Sequence, residues 1–257
     1  MVWDPTQYLA YGDLRLRPGL DLLARIPVEA PERVVDLGCG PGTLTLRLAE
    51  RWPQAEVAGI DADEAMLAEA DALDADRRVS WMPGDLATWT AAHRVDVVFS
   101  NAALHWVGDH PRVLQQWLGQ LTPGGVLAVQ VPDNFDQPSH TTVAEVVDEG
   151  PWASRLRPHL LDAPVLPPHR YHRLLRPVVA SVDVWQTTYW QELTGEDPVL
   201  EWVKGSLLRP LLAELGDGER DEFLGRVGER LRAAYPADES GVTLFPFRRT
   251  FVVARRR

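Results

Sequence analysis

The sequence predicts an α/β fold built on a seven-stranded, mostly parallel sheet with helices on both faces. Three observations carry this reading. Short valine-rich apolar runs alternate with helix-period segments through the first half of the chain, a glycine loop follows the first run, and an acidic residue ends the second. At 257 residues, 45% hydrophobic and 25% charged, the chain suits one globular domain, 1–257, that carries insertions.

The elements read off in order. Strands are expected at 33–37 (RVVDL), 56–60 (EVAGI), 79–82, 95–100 (VDVVFS) and 126–131 (VLAVQV), each ending where the next segment turns polar. Between them Leu44, Leu48 and Trp52 recur at helical spacing, as do Val113, Trp117 and Leu121, so each set faces the sheet. Thr122-Pro123-Gly124-Gly125 reads as the turn that ends the second of these helices and launches strand five. Residues 133–177 are rich in proline and histidine and read as irregular; 178–190 reads as strand six, 197–235 as helices and 242–254 as the last strand. Segments 133–178 and 195–238 flank strand six and are expected to form a helical lid on the substrate side.

Composition excludes several functions. There is no apolar run near the roughly 18 residues that a membrane span needs, so no membrane partner is expected. A formal charge of −11 repels polyphosphate backbones, which favours a small-molecule substrate over nucleic acid. Asp4 and Asp13 stand where a secretory signal needs basic and apolar residues, and Cys39 is the only cysteine. A cytoplasmic protein without disulfide or cysteine-metal cluster is the expectation.

Four stations carry the chemistry. Gly38, Gly40 and Gly42 lie at i, i+2 and i+4 between strand one and a helix, where a ligand can approach without meeting a Cβ. The competing reading is a tight strand-to-helix turn. The dinucleotide fingerprint places its last glycine one position later, which argues against NAD. Asp61 ends strand two, where an acid meets the ribose of a nucleoside cofactor; alternatively it forms a capping box with Glu64. Asp85 and Leu86, after strand three, offer a carboxylate beside a backbone N–H, suited to an adenine edge, although an aspartate there also makes a turn. Ser100-Asn101-Ala102 opens the loop after strand four.

These stations, in this order, resemble those of the class I methyltransferases that use S-adenosylmethionine (SAM). The resemblance implies a Rossmann-like sheet, with Gly38, Gly40 and Gly42 cradling the methionine part, Asp36 bracing the loop, Asp61 on the ribose, and Asp85 with Leu86 on the adenine. It adds Ala62, Met66 and Asn101 to the cofactor set. It also implies a cofactor-covering segment at 1–30, with Tyr8 and Arg17 as contacts, Arg17 toward the methionine carboxylate; plain helix surface is the competing reading for these.

A narrower resemblance runs along nearly the whole chain, to the trans-aconitate 2-methyltransferase family. It rests on Trp3-Asp4-Pro5, Ser100-Asn101-Ala102-Ala103-Leu104-His105-Trp106, Gln130-Val131-Pro132-Asp133-Asn134, Thr187-Thr188-Tyr189, Leu208-Arg209-Pro210 and Phe251-Val252-Val253-Ala254. It implies esterification of one carboxylate of a small anionic metabolite, with S-adenosylhomocysteine as the other product, no metal and a monomeric enzyme. A carboxylate is ionised at neutral pH, so no general base is expected. Arg209 and Arg249 are the expected acceptor cations, His105, Tyr171 and Tyr189 the donors, and Trp106 a wall. The competing readings are a helix-end charge for Arg209, an outward strand residue for Arg249 and simple packing for His105.

Overall fold

The computed structural model describes residues 12–161 and 164–257. Along the first half run α1 (Gly12–Ala24), β1 (Arg33–Leu37), α2 (Thr43–Arg51), β2 (Glu56–Asp61), α3 (Glu64–Leu73), β3 (Val79–Pro83), β4 (Val95–Asn101), α4 (His110–Gln120) and β5 (Leu121–Pro132). The second half adds α5 (Pro138–Glu149), α6 (Ala153–Leu156), α7 (Pro168–Leu175), β6 (Val179–Leu193), α8 (Pro198–Lys204), α9 (Arg209–Ala213), α10 (Asp217–Ala234) and β7 (Thr243–Arg256).

Seven strands form one sheet in the order β3-β2-β1-β4-β5-β7-β6. The pairs β3-β2, β2-β1, β1-β4 and β4-β5 are parallel, and β7 runs antiparallel to β5. Helices on both faces bury β1 and β4, which is why their sequences read as unbroken apolar runs instead of alternating. Strand order reverses between β1 and β4, and in an open α/β sheet that reversal opens a crevice at the carboxyl ends of the two strands.

The chain divides into two compact units, and β6 and β7 contribute to both. The larger comprises Leu16–Pro132, Pro164–Thr187 and Arg249–Arg257. Its core gathers Val35, Leu37, Val98, Leu104, Leu114 and Trp117 around Leu127 and Val129. Trp117 is fully buried, and its indole N–H donates to the Leu86 carbonyl at 3.2 Å, fastening the segment after β3 to α4. Among the described residues the smaller unit comprises 12–15, 133–161 and Thr188–Arg248. There α10 packs on α5, Trp152 meets the edge of Phe223 with ring centroids 5.6 Å apart, and Trp202 lies against Phe245 and Phe247. The Arg15 guanidinium covers Trp202 at 4.9 Å and donates to its carbonyl. No helix among the described residues is long and apolar enough to cross a membrane.

Two segments differ from the sequence reading. Residues 133–177 hold three α-helices, because Pro138 and Pro168 occupy first helical positions, where a missing N–H costs nothing. The Thr122–Gly125 turn lies inside β5: between the pairs Val95–Leu121 and Val97–Val126, one residue of β4 stands opposite four of β5. Pro123 has no N–H to pair and Gly124 takes φ 78°, so the ladder loops out there. The Thr122 hydroxyl donates to Asp96 at 2.7 Å and closes the loop back on β4.

Truncating Trp117 removes both a buried indole and the tether to Leu86. Trp117→Ala is expected to lower unfolding free energy by about 3–5 kcal/mol, read by chemical denaturation; a change within error of zero would refute this role.

Candidate cofactor and acceptor site

The glycine loop is built by three left-handed residues. Gly38, Gly40 and Gly42 have φ of 78°, 52° and 78°, a conformation that strains any side chain. Two of them are also sterically fixed. A Cβ on Gly38 would stand 2.2 Å from the Ala103 Cβ, and one on Gly42 would stand 2.5 Å from the Trp81 ring. Gly40 differs: nothing lies within 4 Å of its added Cβ, so its bare backbone faces open space.

Hydrogen bonds pin this loop to β2. The N–H groups of Gly38 and Cys39 both donate to the Ile60 carbonyl, at 2.8 and 3.1 Å. The Gly40 N–H donates to Asp61 Oδ2 at 2.8 Å, while Asp61 Oδ1 accepts from the Asp63 N–H. Helix α3 is instead capped by Asp63, which accepts from the Ala65 N–H, so Asp61 belongs to the loop and not to a capping box. Ala62 is exposed and Met66 half-buried on α3.

Asp36, next to last in β1, is tied to the start of α2. It is 2% exposed and accepts from the Thr45 hydroxyl of α2 at 2.6 Å. Burial pushes its carboxyl up to about 7, the Thr45 bond opposes that, and the Asp61 charge adds to it. Burial, with the Asp36 and Asp61 charges, also pushes the Cys39 thiol well above its ordinary range, so it stays protonated.

Asp85 is exposed, with Oδ1 accepting from the Ala87 N–H at 2.9 Å in a turn and Leu86 half-buried beside it. At the end of β4 the Ser100 hydroxyl donates to the Leu37 carbonyl at 2.7 Å, joining the two strand ends. Ala102 adopts φ 53°, rare for alanine, and its N–H donates to the Gln130 carbonyl of β5. The Asn101 Oδ1 is buried without a hydrogen-bond partner. Arg17 is exposed on α1; Tyr8 lies outside the described residues.

The expected acceptor residues divide between the units. His105 is buried in a single 3-10 turn, Leu104–Trp106, with its ring 4.7 Å from that of Trp106, which is 60% exposed. Arg249, 8% exposed, stands opposite Pro132 where β5 ends. Both belong to the larger unit, whereas Arg209, first in α9, and buried Tyr189 on β6 belong to the smaller. Tyr171, expected as an acceptor donor, is a core residue: it is 1% exposed, its hydroxyl accepts from the Leu166 N–H at 3.2 Å, and it meets His110 Nε2 at 3.1 Å. Burial holds that imidazole below its ordinary range, hence neutral. Trp81 and Ala103 were invisible as site residues in the sequence, because only the fold brings them against Gly42 and Gly38. Among the described residues no group of three or more His, Cys, Asp or Glu is placed to hold a metal ion.

The methyltransferase domain family matches residues 34–125, the stretch from β1 into β5. The YcgJ protein from Bacillus subtilis superposes with a TM-score of 0.61 at 15% identity, covering 95% of this chain and 99% of that one. A Haemonchus contortus phosphoethanolamine N-methyltransferase 2, in complex with SAM, gives 0.56 at 14% identity, over 94% of this chain and 53% of that one. The domain match and the full-length relatives that follow make the chain a SAM-dependent methyltransferase. The trans-aconitate 2-methyltransferase of Mycolicibacterium gilvum is 48% identical over 256 residues, covering 99% of each chain. That of Streptomyces avermitilis is 47% identical over 261 residues, covering 99% of this chain and 97% of its own. The chain belongs to the trans-aconitate 2-methyltransferase family.

The Asp36 shift fixes a sign for stability. The folded state keeps this proton to about 7 whereas the unfolded chain releases it near 3.8, so stability is fully present below 3.8 and falls as pH rises to about 7. Relative to Asp36→Asn, wild type is expected to lose stability steadily across that window, at no more than about 1.4 kcal/mol per pH unit. Denaturation at a series of pH values reads the difference, and a pH-independent difference would disprove the assignment.

Proposed function

We propose that the enzyme transfers the methyl group of SAM to a carboxylate of trans-aconitate, giving the monomethyl ester and S-adenosylhomocysteine. The observation that carries this reading is similarity over 99% of the chain and of its M. gilvum relative, which includes the acceptor half as well as the cofactor half. The enzyme acts on this small anionic metabolite as a cytoplasmic monomer, without a metal and without nucleic-acid or membrane partners.

The loop residues fit the cofactor. Gly40 offers open backbone, Asn101 offers a buried acceptor oxygen with no partner, and Asp85 keeps one carboxylate oxygen outside its turn. In this reading Gly38, Gly40 and Gly42 hold the methionine part, Asp61 the ribose, and Asp85 with Leu86 the adenine. Ala62, Met66, Asn101, Tyr8 and Arg17 complete the contacts, and Asp36 braces the loop through Thr45. When bound, SAM supplies a methyl group on a sulfonium, already activated for transfer.

The chain's own work is then orientation and desolvation. A carboxylate nucleophile is ionised at neutral pH, so no residue need remove a proton. Holding an oxygen in line and excluding water supply several kcal/mol between them. In the larger unit Arg249 provides a planar fork for an acceptor carboxylate, His105 donates a hydrogen bond and Trp106 forms a wall; in the smaller, Arg209 is the second fork and Tyr189 a donor.

Mass spectrometry of a reaction with SAM and trans-aconitate is expected to find a product one methyl heavier. Failure with trans-aconitate, together with turnover of a hydroxyl compound and a requirement for a deprotonated group, would replace this acceptor with another class. Arg209→Ala is expected to raise the acceptor KM at least about tenfold, with SAM affinity within twofold of wild type. Asp61→Ala should do the reverse, weakening SAM first. Equal losses of both affinities in either variant would remove its assigned role.

A further inference from the structure

Three neighbouring strands carry polar side chains on one face of the sheet, near the carboxyl ends of β4 and β5. Asn101, the last residue of β4, is paired in register with Gln130 of β5. Gln130 in turn stands opposite Phe251 of β7, and Arg249 opposite Pro132. Strand residues two apart share a face, so Asn101, Gln130 and Arg249 lie on the side that carries Phe99. Phe99 is the register partner of Asp36, and Asp36 reaches α2 through Thr45, so this row lies on the α2 face.

Gln130 is 1% exposed, and its Nε2 is buried with no hydrogen-bond partner. Across the ladder, at a strand spacing of about 4.8 Å, the Asn101 Oδ1 is in the same condition. A buried amide with an unmade bond lowers stability. Sheet order says which ligand would complete it. Asp61 on β2 and Asp85 after β3 lie to one side of β1, whereas β5 and β7 lie to the other, beyond β4. Gln130 is therefore on the side away from the nucleoside stations, in the row that ends at Arg249.

We infer that Gln130 is a specificity-determining residue of the acceptor subsite, donating its side-chain N–H to one carboxylate of a polycarboxylate acceptor. The inference rests on the proposed reading that the acceptor is such an anion. A neutral amide suits this role, because it recognises an oxygen without adding a charge that must be neutralised when the site is empty. An acceptor that lacks the matching carboxylate leaves the donor unpaired, which makes the residue a filter as well as a contact.

The test uses the full chain with S-adenosylhomocysteine bound, so that trans-aconitate binds without turnover and calorimetry reads its Kd. Gln130→Met keeps the volume and removes the donor, and Gln130→Glu keeps the shape and repels an anion. Both are expected to weaken trans-aconitate by about tenfold to a hundredfold, Glu the more, with S-adenosylhomocysteine affinity within twofold of wild type. Without ligand, Gln130→Met is expected to melt no lower than wild type, the reverse of what a structural glutamine would do. A dicarboxylate lacking one carboxylate should bind wild type more weakly than trans-aconitate but lose little further in Gln130→Met. Unchanged trans-aconitate affinity in both variants, equal loss of S-adenosylhomocysteine affinity, or a lower melting temperature for Gln130→Met would overturn this assignment alone. Wild-type protein that binds S-adenosylhomocysteine but not trans-aconitate would overturn the acceptor reading and this assignment with it.

Discussion

The bond from the Gly40 N–H to the Asp61 carboxylate joins the ends of β1 and β2, and the rest of the site is arranged around it. Because the chain crosses from β1 to α2 in five residues, three of them left-handed, the loop has few ways to lie. Asp61 and the Ile60 carbonyl hold it to one side. Ala103 and Trp81 fill the space that side chains at Gly38 and Gly42 would need. A loop held at that many points presents its open backbone at Gly40 without an entropic cost on ligand binding.

Several of the buried polar groups of the larger unit lie near the carboxyl ends of the parallel strands. Asp36, Ser100, Gln130 and Arg249 are buried there; the Thr45 hydroxyl donates to Asp36, and Ser100 donates to the Leu37 carbonyl. Farther along the same strands, Val97, Val98, Val126 and Leu127 are wholly apolar and fully buried. Stability thus comes from the middle of the sheet, and the strand ends are left to carry chemistry. Ala102, at φ 53°, adds backbone strain at the same end, as is common beside functional loops.

The parallel strands and the glycine loop were legible because each rests on local signals, apolar runs and a glycine spacing that few other structures need. Their limits were off by a residue or two, as at Asp61, Pro83 and Asn101, which extend strands past the last apolar residue. Proline misled twice. At Pro138 and Pro168 it marks helix starts in a stretch that reads as irregular, and at Pro123 it marks a loop inside a strand. What sequence alone hides is pairing. Tyr171 looks like a free phenol until His110 and the Leu166 N–H are found around it, and Gln130, one residue of a longer motif, has no role of its own until it stands beside Asn101.

Cys39 sits in the glycine loop, its thiol held protonated by burial and by the Asp36 and Asp61 charges. Thiolate, the reactive form, is scarce there at neutral pH. Since the chain has no other cysteine, thiol-directed dyes and spin labels would meet only this buried group in the unaltered protein. A single cysteine introduced on an exposed helix would therefore report alone, and distances or quenching could be followed in the intact enzyme without first stripping out native thiols.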